Sequence, residues 1–236
     1  MARLARRKDK IYSIKKACRI GDKCFNFILP FLEEDVTEIE IVKLINVFLK
    51  KKSEGIAFKT IVAFGENSAE IHHQNPTNRK LKKGDFIMLD FGARINGYPS
   101  DMTRTLFFKK ATNKQVDLYK TVLEAQKKAI DLLESFAKKQ RSIKTFDVDR
   151  IAREFIVSKK FEPMPHSLGH GIGKKVHSGL RLSPKSKTYL KPGMIFSIEP
   201  AIYIKGFGGV RIEDLILLTE TKIKILTNSP KNIIIL

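Results

Sequence analysis

FIMLDFGARINGYPSDMTRTLF, residues 86–107, decides the architecture. Two apolar runs flank Asn96-Gly97, a strong two-residue hairpin signal. The strands are Phe86–Arg94 and Tyr98–Phe108. A turn at 96–97 makes residue 95 face 98, residue 92 face 101 and residue 90 face 103. Asp90 and Asp101 are then diagonal neighbours on one face, roughly 7–8 Å apart at the backbone. Asp90 lies inside Phe-Ile-Met-Leu-Asp-Phe, where an unpaired carboxylate is costly to bury. From the hairpin alone, Asp90 could instead accept a buried hydrogen bond and Asp101 could face solvent. Two like charges in one apolar sheet nonetheless call for a cation.

Upstream, Ile11, Ile14, Ala17, Ile20 and Cys24 recur near helical spacing and predict a helix over residues 9–33, ended by Pro30. Thr37-Glu38-Ile39-Glu40 has the form of a capping box that opens a second helix to about Lys52. A strand at 58–64 and a loop at 65–83 lead into the hairpin. Downstream, Thr112 with Gln115 caps a long helix to about Ala137, and another covers about 147–158. The last third is strand and turn: 194–204, the glycine turn 206–209, 210–218 and two short apolar runs. Helices, hairpin, helices and a second hairpin-like unit describe an α+β chain of two similar halves. The reading is a single domain over residues 1–236.

Length and composition agree. The chain has 236 residues, 42% hydrophobic, enough for a sizeable core. No run is long enough for a transmembrane helix, and MARLARRKDK lacks the apolar stretch of a secretory signal. The default expectation is a cytoplasmic protein with no membrane partner. Cys18 and Cys24 lie six apart on one helix, so they point to different faces and read as free thiols. The net charge of +20 admits nucleic acid or a ribosome as partner. Against that, the lysines are spread along the chain as pairs without an arginine-rich motif, the pattern of a solvated surface.

Further donors lie in the last third. His166-Ser-Leu-Gly-His170-Gly-Ile-Gly173 sets two histidines among glycines, which let a backbone approach a site closely. His177 follows. Glu199 and Glu213 are again acids inside apolar strands. Arg211 shares a strand face with Glu213, and a plain ion pair would explain those two alone. Four carboxylates and an imidazole suit two divalent ions of the Mn or Co type better than a structural zinc.

Together these motifs resemble the pita-bread metallopeptidases, a family of methionine aminopeptidases, Xaa-Pro aminopeptidases, prolidases and creatinase. The resemblance covers residues 10–236. LDFGARINGYPSDMTRT, HSLGHGIG, IEPAIYIKGFGGV and VRIEDL look most like the Xaa-Pro branch. The resemblance implies the pita-bread fold: two pseudo-symmetric halves with a curved antiparallel sheet covered by helices. It implies two divalent metal ions, Mn or Co first and Zn or Fe next. Asp90 would bind one ion, Asp101 and Glu213 would bridge both, and His170 and Glu199 would hold the other. Glu199 would also shuttle a proton. His73, rather than its neighbour His72, would be the substrate-binding histidine upstream of Asp90. His166 and His177 would line the site, Arg211 would stand near the metals, and His177 or His73 would stabilise an oxyanion.

The implied activity is hydrolysis of the N-terminal peptide bond of short peptides, of Xaa-Pro type, as an aminopeptidase or dipeptidase. A homodimer is the implied assembly. The alternatives are methionine-aminopeptidase-type processing, a creatinase-like hydrolase, and a non-catalytic RNA- or partner-binding member of the same fold. Two departures from the branch are expected to matter. Ser178-Gly179-Leu180 replaces its usual acidic residue and proline after the last histidine, and its usual N-terminal domain is expected to be absent.

Overall fold

The computed structural model describes the backbone from Ala2 to Leu236 and side chains from Arg7 onward. Helix α1 spans Ala2–Ile28, beginning earlier than the apolar spacing suggests. It stops at Ile28 because Pro30 sits in a short 3-10 turn, Leu29–Phe31, where a missing N–H is tolerated. Cys18 and Cys24 are buried free thiols in two different apolar clusters. Helix α2, Glu38–Lys52, opens on the expected capping box, with both reciprocal bonds between Thr37 and Glu40 formed.

The first sheet follows. Strand β1 is Ile61–Phe64 and β2 is Phe86–Phe91. Short strands β3, Arg94–Ile95, and β4, Tyr98–Pro99, flank the turn, and β5 is Met102–Phe107. Ile95 pairs with Tyr98 and Asp90 with Thr103, the register read from the sequence. Asn96 and Gly97 take φ values of 50° and 70°, as a hairpin turn of this hand requires. Midway along the hairpin, a Cβ on Gly92 would stand 1.9 Å from the Ser100 carbonyl oxygen, so only glycine permits this approach. The sheet runs β1-β2-β5, all antiparallel. Helices α1 and α2 cover it through Ile28, Ile41, Ile45, Val62, Leu89 and Leu106.

The second half repeats the plan. Helix α3, Asn113–Lys138, has its capping box between Thr112 and Gln115, and α4 is Thr145–Ser158. Strand β6, Gly169–His170, pairs with β7, Arg181–Leu182. Strands β8, Ile195–Ile198, β9, Ala201–Ile204, β10, Gly208–Arg211, β11, Asp214–Leu218, and β12, Ile223–Ile225, complete the chain. The main sheet is β8-β11-β12, and β9-β10 is a hairpin. Helices α3 and α4 close over this half around Leu118, Val122, Ala152, Phe196 and Ile216.

Hydrogen bonds from side chains and backbone stitch the halves together. The Thr105 hydroxyl donates to the Arg211 carbonyl at 3.0 Å, and the Glu213 N–H donates to the Thr103 carbonyl at 3.1 Å. The chain end returns beside β5, where the Phe107 N–H donates to Ile234 O at 3.0 Å. Among the described residues, no helix is long and apolar enough to cross a membrane.

Candidate metal centre

Asp90 and Thr103 are opposed across the first hairpin, so their side chains share a face. That face meets the start of the second half's hairpin. Arg211 Nη2 donates to Asp90 Oδ2 at 2.7 Å, and Arg211 Nε to Thr103 Oγ1 at 3.0 Å. The Thr103 hydroxyl donates to Glu213 Oε2 at 2.8 Å. Behind Glu213, Arg104 is 1% exposed. It donates to Glu213 O at 2.5 Å and pairs with Asp214 at 2.7 Å. Lys231 takes the other Asp214 oxygen at 2.6 Å. One buried ion cluster therefore fixes the backbone that carries Glu213.

Asp101 lies just before β5. His170 Nε2 is 3.5 Å from Asp101 Oδ2 and 3.2 Å from Glu199 Oε1. The histidine is held from two sides. Its own N–H donates to Ser197 Oγ at 3.0 Å, and that hydroxyl donates to Glu199 Oε1 at 3.0 Å. A Cβ on the preceding Gly169 would stand 1.9 Å from Ser197 O, so a glycine is required for β6 to lie this close. The upstream loop is tethered to α4. Asp149 Oδ1 accepts from Leu168 N at 3.0 Å, and Arg153, paired with Asp149, donates to the His166 carbonyl at 2.9 Å.

The electrostatics call for positive charge. Burial and the neighbouring Asp90 carboxylate push Asp101 well above the usual range. Burial and Asp101 do the same to Glu213. Burial also raises Asp90, although Arg211 opposes it. Burial works against the charged form of His170, but the hydrogen bond to Glu199 and the charges of Glu199 and Asp101 together outweigh it and lift the imidazole to about 9. Among the described residues, three buried side-chain atoms lack any hydrogen-bond partner: Asp90 Oδ1, Glu213 Oε1 and His170 Nδ1. Donor atoms of Asp101, His170 and Glu213 lie within 4.8 Å of one another. Crowded hard oxygens with one imidazole are a donor set for divalent cations.

These groups floor a cleft of about 630 Å³. His166, His177 and Arg211 line it, with His72 and Arg181 besides. The rings of His170 and His177 meet edge to face, 4.1 Å between centroids. His73 is a correction. It does not line the cleft, because both its ring nitrogens are occupied, by Glu38 at 2.9 Å and Glu70 at 2.7 Å. Its neighbour His72 takes that place. Tyr203 was not singled out from the sequence. Its hydroxyl bridges Arg211 Nη1, at 2.7 Å, and His166 Nε2, at 3.1 Å. An aromatic residue in an alternating strand gives no sign of that role.

The chain is similar to known proteins in sequence and fold. The family model for metallopeptidase family M24 matches residues 12–220. The Xaa-Pro dipeptidase of Pyrococcus furiosus is 38% identical over 234 residues, 98% of this chain and 65% of that protein. The solved Xaa-Pro dipeptidase from Bacillus anthracis superposes with a TM-score of 0.90 at 38% identity, over 97% of this chain and 63% of that one. The X-Pro aminopeptidase from Thermotoga maritima gives 0.89 at 35% identity, over 97% and 64%. The chain thus spans less than two thirds of the length of these relatives. Their shared fold is the pita-bread arrangement of paired halves. The matched span includes the five candidate donor residues, Asp90 to Glu213, and the chain belongs to metallopeptidase family M24, a family that implies divalent metal ions.

Proposed function

We propose that residues 1–236 form one catalytic domain that hydrolyses the N-terminal peptide bond of Xaa-Pro peptides, with Xaa-Pro dipeptides as preferred substrates. The observation that carries this reading is the convergence of Asp101, His170 and Glu213 donor atoms within 4.8 Å, at the floor of a cleft large enough for a short peptide. Asp90, Asp101, His170, Glu199 and Glu213 would hold two ions, with Mn or Co favoured by the oxygen-rich set. Bound there, the ions would lower the pKa of water and polarise the scissile carbonyl.

The chain's own groups supply the rest. Glu199, held by Ser197 and beside His170, would accept a proton from the attacking water and return it to the leaving amine. Partial burial and the nearby His170 lower the His177 pKa, which favours the neutral imidazole. A neutral imidazole donates one N–H, which suits a developing oxyanion. Arg211 and Tyr203 anchor Asp90 and His166, so the cleft wall is set before substrate arrives. Arg181 offers a guanidinium on the strand opposite His170. The free carboxylate of a dipeptide, one residue beyond the scissile bond, would pair with that guanidinium.

The test is an assay of the Mn- or Co-loaded chain on an Xaa-Pro dipeptide, a longer Xaa-Pro peptide and a Met-Ala peptide. Release of the residue before proline is expected, fastest from the dipeptide. Cleavage of the Met peptide alone would move the chain to the methionine-aminopeptidase reading. Salt-dependent RNA binding without metal uptake would favour the non-catalytic reading.

A further inference from the structure

Glu38 is the first residue of α2, and its side chain is fully buried. Its carboxylate accepts five hydrogen bonds from one short segment. Oε1 takes Phe64 N and Asn67 Nδ2, both at 2.9 Å. Oε2 takes His73 Nε2 at 2.9 Å, Thr77 N at 2.9 Å and Thr77 Oγ1 at 2.7 Å. Burial opposes the charge, yet these donors hold the carboxyl down at about 2. None of them is a metal-centre residue.

The segment so gripped, residues 64–77, forms one wall of the cleft. Ile71, His72 and Gln74 line the cavity, and the Ile71 carbonyl accepts from Arg211 Nη1 at 3.3 Å. The wall contains adjacent histidines with different surroundings. His73 is 5% exposed and paired with Glu38, while His72 lines the cleft. A slip of one residue would exchange them. Local sequence does not prevent that slip, because the two side chains are identical. The buried carboxylate does, since it can pair with only one.

We infer that Glu38 is the positioning residue for this wall: by pairing with His73 and Thr77 it fixes the register that presents His72 to substrate. Glu38 touches no substrate. It acts through His72, and the inference rests on the peptidase reading for its kinetic consequence.

The experiment uses the full chain loaded with Mn and the variants Glu38→Gln, His72→Ala, their combination, and Thr77→Val. Amide hydrogen exchange is read over residues 64–77 and over Phe86–Phe91, together with KM and kcat on an Xaa-Pro dipeptide. Glu38→Gln is expected to speed exchange over 64–77 about tenfold and leave Phe86–Phe91 unchanged. It raises KM roughly tenfold, the scale of a lost charged hydrogen bond, with kcat within about a factor of three. Added to His72→Ala it changes KM by less than about twofold, because both act on one contact. Thr77→Val, which removes one donor and keeps the loop's size, shifts KM the same way by a smaller factor. It decides the matter if Glu38→Gln does not fold. Unchanged exchange over 64–77, or KM effects that multiply in the combined variant, would overturn the inference. A parent chain that cleaves no Xaa-Pro dipeptide sinks the functional reading alone, and the exchange contrast still decides whether Glu38 holds the wall.

Discussion

Arg211 Nη2 lies 2.7 Å from Asp90 Oδ2, and this buried pair joins the first half of the chain to the second. Asp90 uses one oxygen for the guanidinium, and the other has no hydrogen-bond partner. The arginine therefore neutralises Asp90 without occupying the oxygen a cation would use. Arg211→Met keeps bulk and removes the charge. Breaking a buried pair on one side costs about 3–5 kcal/mol, and that loss is expected in the metal-free chain. With saturating Mn the loss is smaller, because the ion supplies charge to Asp90. Urea unfolding with and without Mn measures both. Equal losses would mean that Asp90 does not meet the ion.

The acids on the other side of the centre behave oppositely. Burial raises both Asp101 and Glu213, and a neighbouring carboxylate adds to each, Asp90 for Asp101 and Asp101 for Glu213. In the metal-free chain such charges oppose folding. Glu213→Gln retains an acceptor for the Thr103 hydroxyl and removes the charge. It is expected to stabilise the metal-free chain by about 1–3 kcal/mol, the scale of a buried polar group left unsatisfied. The same change weakens Mn binding by more than about a hundredfold, since even outer groups around a metal contribute 10–100-fold. Thermal unfolding and isothermal titration read the two effects. A variant less stable than its parent without metal would contradict this account.

The pH dependence follows with a definite sign. For Asp90, Asp101 and Glu213 the folded pKa is raised, so the folded chain keeps protons that the unfolded chain releases above about 4. Their penalty grows as pH rises from there. His170 is raised to about 9. Its contribution is complete below the ordinary histidine value, about 6.5, and is lost as pH climbs to about 9. Both terms make the metal-free chain less stable from pH 5 to pH 9. Glu38 acts in reverse. Held at about 2, it stabilises above the ordinary glutamate value and loses that stabilisation as pH falls toward 2. A maximum near pH 5 is expected without metal. Mn shifts it upward, because ligands must lose protons to bind. Urea midpoints across pH, with chelator and with Mn, test this, and coincident maxima would refute it.

Much of this design was legible in the chain. Asn96-Gly97 fixed the pairing of Asp90 with Thr103 through a local rule, and Thr37/Glu40 and Thr112/Gln115 marked two helix starts for the same reason. Asp90, Glu199 and Glu213 stood out because acids are rare in apolar strands. The choice between His72 and His73 was not legible. It depends on Glu38, 35 residues before His73 in the chain, and in sequence Glu38 is only an ordinary first-turn acid of a helix. Tyr203 escaped for a related reason, since its partners Arg211 and His166 come from separate segments.

Arg181 carries the last prediction, on substrate length. It is exposed at the cleft and paired in register with His170. If it receives the C-terminal carboxylate of a dipeptide, Arg181→Ala raises KM for that dipeptide about tenfold, the scale of a charged hydrogen bond weakened by solvent. A C-terminally amidated dipeptide lacks the carboxylate and should be cleaved with similar KM by parent and variant. A longer Xaa-Pro peptide carries its carboxylate elsewhere and should also be little affected, so the preference for dipeptides narrows. Because Arg181 lies on the surface, the variant should fold and bind Mn as the parent does. Steady-state kinetics on the three substrates separate the outcomes. Equal KM increases on all three would mean that Arg181 shapes the cleft without reading the carboxylate, and the dipeptide preference would then need another origin.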